Sequence, residues 1–114
     1  SRRMTTTDAP DVVLRYLDAA DRDDSDSLTT CFAPDGTVTD EGHTYRGRDE
    51  IRAWRETVAG RYTYTTTVTG SELVDARNHR VSVRIAGNFP GGVADLVYRF
   101  ELADDLISRL TIGG

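Results

Sequence analysis

The feature that most constrains this chain is a change of hydrophobic period at Tyr62. Before it, apolar residues recur at the three- and four-residue spacing of a helix face. After it they alternate with polar residues, as on a half-buried strand. A chain that builds amphipathic helices first and alternating strands second reads as α+β, with helices laid against one face of a mainly antiparallel sheet.

The helical part has three segments. Val13, Tyr16, Leu17 and Ala20 mark one face of a helix over residues 11–20, with Thr7 or Asp8 placed to cap it and Pro10 in its first turn. The acidic run Asp21-Arg22-Asp23-Asp24 ends it. Asp24 or Ser25 can cap a short second helix carrying Leu28, Cys31 and Phe32. Pro34-Asp35-Gly36 is a turn signal before a short strand, Thr37-Val38-Thr39-Asp40. A polar loop, Glu41-Gly42-His43-Thr44, leads through Tyr45 to Gly47. The spacing then predicts a third helix from near Arg48, burying Ile51, Trp54 and Val58 and ending at Gly60.

In the second part Tyr62, Tyr64, Thr66 and Val68 share one strand face, and Thr63, Thr65, Thr67 and Thr69 the other. Val81, Val83 and Ile85 alternate in the same way. Phe89-Pro90-Gly91-Gly92 makes a turn, after which Leu96, Tyr98, Phe100 and Leu102 oppose Asp95, Val97, Arg99 and Glu101. Asp104-Asp105 turns the chain into a last strand, Leu106 to Ile112. The pattern predicts a four-stranded antiparallel meander with one short extra strand. Three modest helices must cover a strongly apolar, aromatic sheet face, and a curved sheet leaves a cavity beneath them, the usual place for a small ligand. Trp54, Tyr62, Tyr64, Val83, Ile85, Leu96, Tyr98 and Phe100 are its expected lining.

Length and charge narrow the function. The 114 residues are 38% apolar, enough for one domain over residues 8–114, with residues 1–7 read as a disordered tail or cloning remnant. A net charge of −5 argues against nucleic acid as a partner and gives no attraction to an anionic membrane. No apolar run approaches the roughly 20 residues that span a bilayer. The polar first residues carry no secretory signal, so a cytoplasmic protein is expected. The single cysteine, Cys31, reads as a small buried hydrophobe. Two distant histidines and one cysteine form no zinc pattern. The run from Asp21 fails as a calcium loop, because Asp26 stands where glycine is needed and Phe32 where glutamate is needed. Phosphate and dinucleotide loops are missing as well, so the sequence implies no metal and no cofactor. His79 reads as hairpin surface, and Arg84 and Arg99 as outer-face partners of Asp95 and Glu101.

Three stretches carry a family resemblance: Tyr16-Leu17-Asp18-Ala19-Ala20, Phe32-Ala33-Pro34-Asp35-Gly36-Thr37-Val38 and Tyr45-Arg46-Gly47-Arg48-Asp49-Glu50-Ile51. From about Asp8 to Ile112 the chain resembles the NTF2-like superfamily, in its SnoaL-like and ketosteroid-isomerase-like branch. The resemblance implies a cone, with three helices packed in a curved sheet, a pocket at the open end and frequent homodimers. It implies Asp40 as a general base and Tyr16 as a hydrogen-bond donor to the oxygen that gains charge when a neighbouring proton is removed. His43, just past Asp40, is a candidate helper. The third group of the isomerase site, an aspartic acid in the penultimate strand, is missing. Leu96 stands at that position, and period two turns Asp95 to the opposite face. The implied function is a cofactor-free enzyme doing acid/base chemistry (cyclisation, isomerisation or dehydration) on a small apolar, cyclic or polyketide-like molecule. The same fold also serves non-catalytic ligand-binding domains and dimeric scaffolds, so the site must decide.

Overall fold

The computed structural model describes residues 2–4, by their backbone, and residues 9–114. The proposed Thr7 or Asp8 cap lies outside the described residues. Helix α1 (Asp11–Asp21) starts at Pro10, which makes no side-chain cap bond. Its buried face is formed by Val12, Val13, Tyr16 and Ala19, so the helix is rotated slightly from the expected stripe, and Leu17 and Ala20 are only partly covered. Helix α2 (Ser25–Thr30) is capped by Asp24, whose carboxylate accepts from the Ser27 backbone N–H at 3.1 Å and its hydroxyl at 2.8 Å.

The chain departs from expectation between the second and third helices. Cys31 closes α2, and Phe32 begins strand β2 (Phe32–Asp40) rather than ending a helix. Phe32 is fully buried there, and its carbonyl accepts two bonds from the Arg48 guanidinium at 2.7 and 3.0 Å. The Pro34-Asp35-Gly36 signal is absorbed as a break in strand register: Phe32 faces Ile107 and Thr37 faces Arg109. The expected polar loop shrinks to Glu41-Gly42, both with φ above zero, as a two-residue hairpin requires. His43 and Thr44 therefore belong to strand β3 (His43–Arg46). Helix α3 (Gly47–Arg61) runs through Gly60, its last turn closed by the Tyr62 N–H donating to the Val58 carbonyl at 3.0 Å.

The meander is β4 (Tyr64–Leu73), β5 (Asn78–Gly87), β6 (Val93–Ala103) and β7 (Leu106–Gly113). A short N-terminal strand, β1 (Arg2–Met4), pairs with β4 where a tail was expected. The sheet order is β1-β4-β5-β6-β7-β2-β3. Every neighbouring pair is antiparallel except β2 and β7, which run parallel and are joined through β3, α3 and the rest of the meander. This is three helices packed against a curved mixed sheet, the α+β cone of the NTF2-like fold. Tyr98 and Val38 sit on the same inner face as the helices, and the core is knitted by Tyr16 meeting Phe32, Tyr98 and Phe100 edge-on at centroid distances of 5.5–6.3 Å. Such pairs add about 0.5–1.5 kcal/mol each beyond burial. Cys31 is buried as expected, its thiol reaching the Ser27 carbonyl at 3.5 Å.

Two surface expectations need correction. On the outer sheet face Arg84 does pair with Asp95, at 2.8 Å, but Glu101 faces Arg109 across β6–β7 because the register sets Arg99 opposite Arg80. His79 is not hairpin surface. It is 2% exposed, since period two places it on the inner face with Val81 and Val83, and its Nε2 bonds the Ser71 hydroxyl at 2.8 Å. Its Nδ1 is buried with no hydrogen-bond partner among the described residues. Burial holds the imidazole below its ordinary pKa of 6.5, so the folded chain resists protonation that the unfolded chain accepts. Stability from this site is present above 6.5 and is lost as pH falls below it toward the lowered folded value. Melting temperature should accordingly decline on acidification from pH 7 to 5, and His79→Gln should flatten that decline; an unchanged slope in the variant would assign it to other groups.

Candidate active site

One end of the cone is open. Between the inner sheet face and helices α1 and α3 lies a cavity of about 660 Å3. Its walls are mostly aromatic and aliphatic: Tyr16, Trp54, Tyr62, Tyr64, Ile85, Leu96 and Tyr98 all line it, with Phe89 and Pro90 of the β5–β6 turn at one edge. A cavity of this size and character suits a small, largely apolar ligand. Val83 and Phe100, expected in the lining, are instead fully buried in the core, each about 1% exposed. Both belong to the core cluster, where Phe100 meets Tyr16 of α1 edge-on at a centroid distance of 5.5 Å.

Asp40 reaches this cavity because it is the last residue of β2 and shares the inner face with Val38, two residues before it. Gly42, at φ 79°, allows the chain to reverse immediately afterwards, so the carboxylate stays at the strand end. Its Oδ2 accepts a hydrogen bond from the Trp54 indole N–H at 3.1 Å. Partial burial pushes its pKa above the ordinary 3.8, the Trp54 bond opposes that, and the neighbouring Glu41 charge adds to it. A carboxylate so placed is more basic than one in water. Tyr16 also lines the cavity, although its ring is packed among Phe32, Tyr98 and Phe100 and the residue is 1% exposed. Burial holds its hydroxyl well above the ordinary value of 10, so it remains a neutral donor. Tyr98 is shifted the same way for the same reason.

His43 does not join them. It pairs with Asp40 in the β2–β3 register, but it opens the edge strand, is exposed, and does not line the cavity. Leu96 points into the cavity while Asp95 is held on the outer face by Arg84, so β6 supplies no second carboxyl group. Arg55, which the sequence reading passed over, does reach the cavity and is 4% exposed. The signal was available: Arg55 lies four residues after Ile51 and three before Val58, on the apolar stripe of α3. Its guanidinium donates to the Tyr64 hydroxyl at 2.8 Å, the Ala20 carbonyl at 2.9 Å and Asp23 at 3.0 Å. Among the described residues no group of three or more His, Cys, Asp or Glu side chains is arranged to hold a metal ion. No helix among them is long and apolar enough to cross a membrane.

Residues 13–110 match the model of the SnoaL-like domain. The chain belongs to the SnoaL-like family. A solved structure from Sinorhizobium meliloti, provisionally assigned as a polyketide cyclase, is 35% identical to this SnoaL-like chain. The similarity covers 96% of this chain and 99% of that one, at a TM-score of 0.89. A ketosteroid-isomerase-like fold from Catenulispora acidiphila, solved with trimethylamine, shares the fold at 19% identity. There the coverage is 93% and 86%, with a TM-score of 0.83. Another provisionally assigned polyketide cyclase, from Silicibacter, is 21% identical over 90% of this chain and 85% of its own, at a TM-score of 0.77. No curated protein matches the chain.

Proposed function

We propose that this SnoaL-like protein is a cofactor-free acid/base enzyme for a small apolar, cyclic or polyketide-like substrate, with Asp40 as the general base. The observation that carries the reading is the Asp40 carboxylate in a mostly apolar cavity, oriented by the Trp54 indole and made more basic by burial. A carboxylate in such a place can take a proton from carbon next to a carbonyl, where one in water would be too weakly basic. Cyclisation by aldol attack, isomerisation and dehydration all begin with that step. Tyr16 is a neutral donor on the same cavity, suited to hold the oxygen that becomes charged. His43, exposed beside the strand end, is left no part in the transfer. An open cavity of about 660 Å3 favours this over a scaffold with a filled interior. The likeness to a Sinorhizobium protein provisionally assigned as a polyketide cyclase supports the substrate class. Family resemblance also supports a homodimer, for which the outer sheet face bearing Thr65, Thr67 and Val93 is an available surface.

The test is hydrogen exchange at carbon. In deuterated buffer, a panel of cyclic ketones and aromatic β-diketones is followed by proton NMR. Protein-dependent loss of an α-proton signal, absent with Asp40→Asn, is the expected result. Exchange that is equal with both proteins removes Asp40 from the mechanism, and binding without any exchange makes the cavity a receptor site.

A further inference from the structure

The cavity holds a second polar pair that proton removal by Asp40 leaves unused, Arg55 and Tyr64. The Arg55 Nη1 donates to the Tyr64 hydroxyl oxygen at 2.8 Å. A guanidinium can only donate, so the phenol oxygen is the acceptor and its single proton must point elsewhere. No described residue accepts that proton, and Tyr64 lines the cavity. The bond is charge-assisted, and it polarises the O–H it leaves free, making that proton a stronger donor. The cation itself is poorly neutralised from inside. Among the described residues the carboxylate that pairs with it, Asp23, has a side chain 59% exposed to solvent, and the buried Arg55 Nε has no hydrogen-bond partner. Tyr16, by contrast, is wedged among aromatic edges, and among the described residues no cationic group donates to its hydroxyl.

We propose that Tyr64, polarised by Arg55, is the main hydrogen-bond donor to the substrate oxygen on which negative charge develops, so that substrates present a carbonyl oxygen to this pair. The inference rests on Asp40 acting as base. In that step the Asp40 carboxylate takes the proton from carbon and the C–H electron pair becomes the new C=C bond. The carbonyl π pair moves onto oxygen, where the Tyr64 O–H holds it. The proton then leaves Asp40 for another carbon or for a leaving hydroxyl, with no oxidant or reductant needed. Tyr64 touches the substrate in this scheme; Arg55 is a positioning residue that acts through it.

The experiment uses para-nitrophenol, whose phenolate stands in for the enolate oxygen and absorbs visibly, with para-nitroanisole as a probe that carries no charge. Titrations are made in an Asp40→Asn background, which mimics the protonated base facing the charged oxygen. Phenolate should bind in preference to the neutral phenol. Tyr64→Phe should weaken phenolate binding by about tenfold to a hundredfold, the worth of a hydrogen bond to a charged group. Its para-nitroanisole affinity should stay the same. Arg55→Met should act like Tyr64→Phe, and Arg55→Lys should recover part of the phenolate preference. Equal weakening of both ligands in Tyr64→Phe would mean a structural role and overturn the pairing. So would an absence of phenolate binding, or a preference lost in Tyr16→Phe and kept in Tyr64→Phe; the last result leaves the Asp40 reading intact. If phenolate binding depends on Tyr64 while carbon exchange persists in Asp40→Asn, the donor pair stands and the Asp40 base falls.

Discussion

Asp40→Asn is expected to lower α-proton exchange, or turnover of any substrate found, by about a thousandfold, within the roughly 10²–10⁴ range of a lost general base. Asparagine keeps the shape and can still accept from the Trp54 indole, so ligand affinity should change little. The pH profile gives a second check on the same residue. The base acts only when ionised, and its folded pKa lies above 3.8, so the acid limb of the rate profile should fall above that value. Stability moves the opposite way. A carboxyl whose folded pKa is raised stabilises the fold below its unfolded value, and that contribution is lost as pH rises through the folded one. At neutral pH the half-buried charge is therefore a burden, and Asp40→Asn should melt no lower than the parent chain. A variant that is inactive and also melts much lower would point to misfolding, and the kinetic loss could not then be assigned to the base.

Arg55→Met is the substitution expected to cost most in stability. The buried guanidinium joins α3 to the end of α1, to the Asp23 turn and to β4 through bonds of 2.8–3.0 Å. Methionine fills the volume of the stem but donates nothing. The Ala20 carbonyl and the Tyr64 hydroxyl lose their donor, and Asp23 loses its counter-charge. Breaking one side of a buried charged contact costs about 3–5 kcal/mol, and the exposure of Asp23 brings the estimate here to about 3 kcal/mol. For a domain of this size that is a fall in melting temperature of about 10–15 °C. Thermal unfolding followed by circular dichroism measures it. A fall of only a few degrees would show that apolar packing replaces the guanidinium, as it does at some buried ion pairs.

How much of this was legible depended on the range of the interaction. The strands after Tyr62 could be read because alternation is a local property, and the two faces of β4 and β6 follow from counting by two. The same counting set Leu96 inward and Asp95 outward. It failed at Phe32, because a buried aromatic two residues past a helix carries no local mark of whether the helix continues. Applied to Asn78-His79-Arg80-Val81 it would have placed His79 beside Val81, but turn-like neighbours outweighed the period. Arg55 was missed for a related reason. On a helix wheel it lies among Ile51, Trp54 and Val58, yet an arginine is ordinarily taken for solvent unless its partners are known. Those partners come from 9, 32 and 35 residues away.

The sequence by itself determined the class of fold, the inner and outer faces of the long strands, the family, and the place of Asp40 at a strand end. These depend on side-chain period and on short turn motifs, whose physics acts within a few residues. Only the tertiary structure decided the rest. Curvature of the sheet, with β2 laid parallel to β7, brings Asp40, Trp54, Tyr16 and the Arg55–Tyr64 pair around one cavity while leaving His43 in water. It also decided that Val83 and Phe100 are core, because whether an inward side chain meets a helix or a void depends on where the helices come to rest. Burial and charge pairing are properties of that arrangement, and a chemical site is made from them.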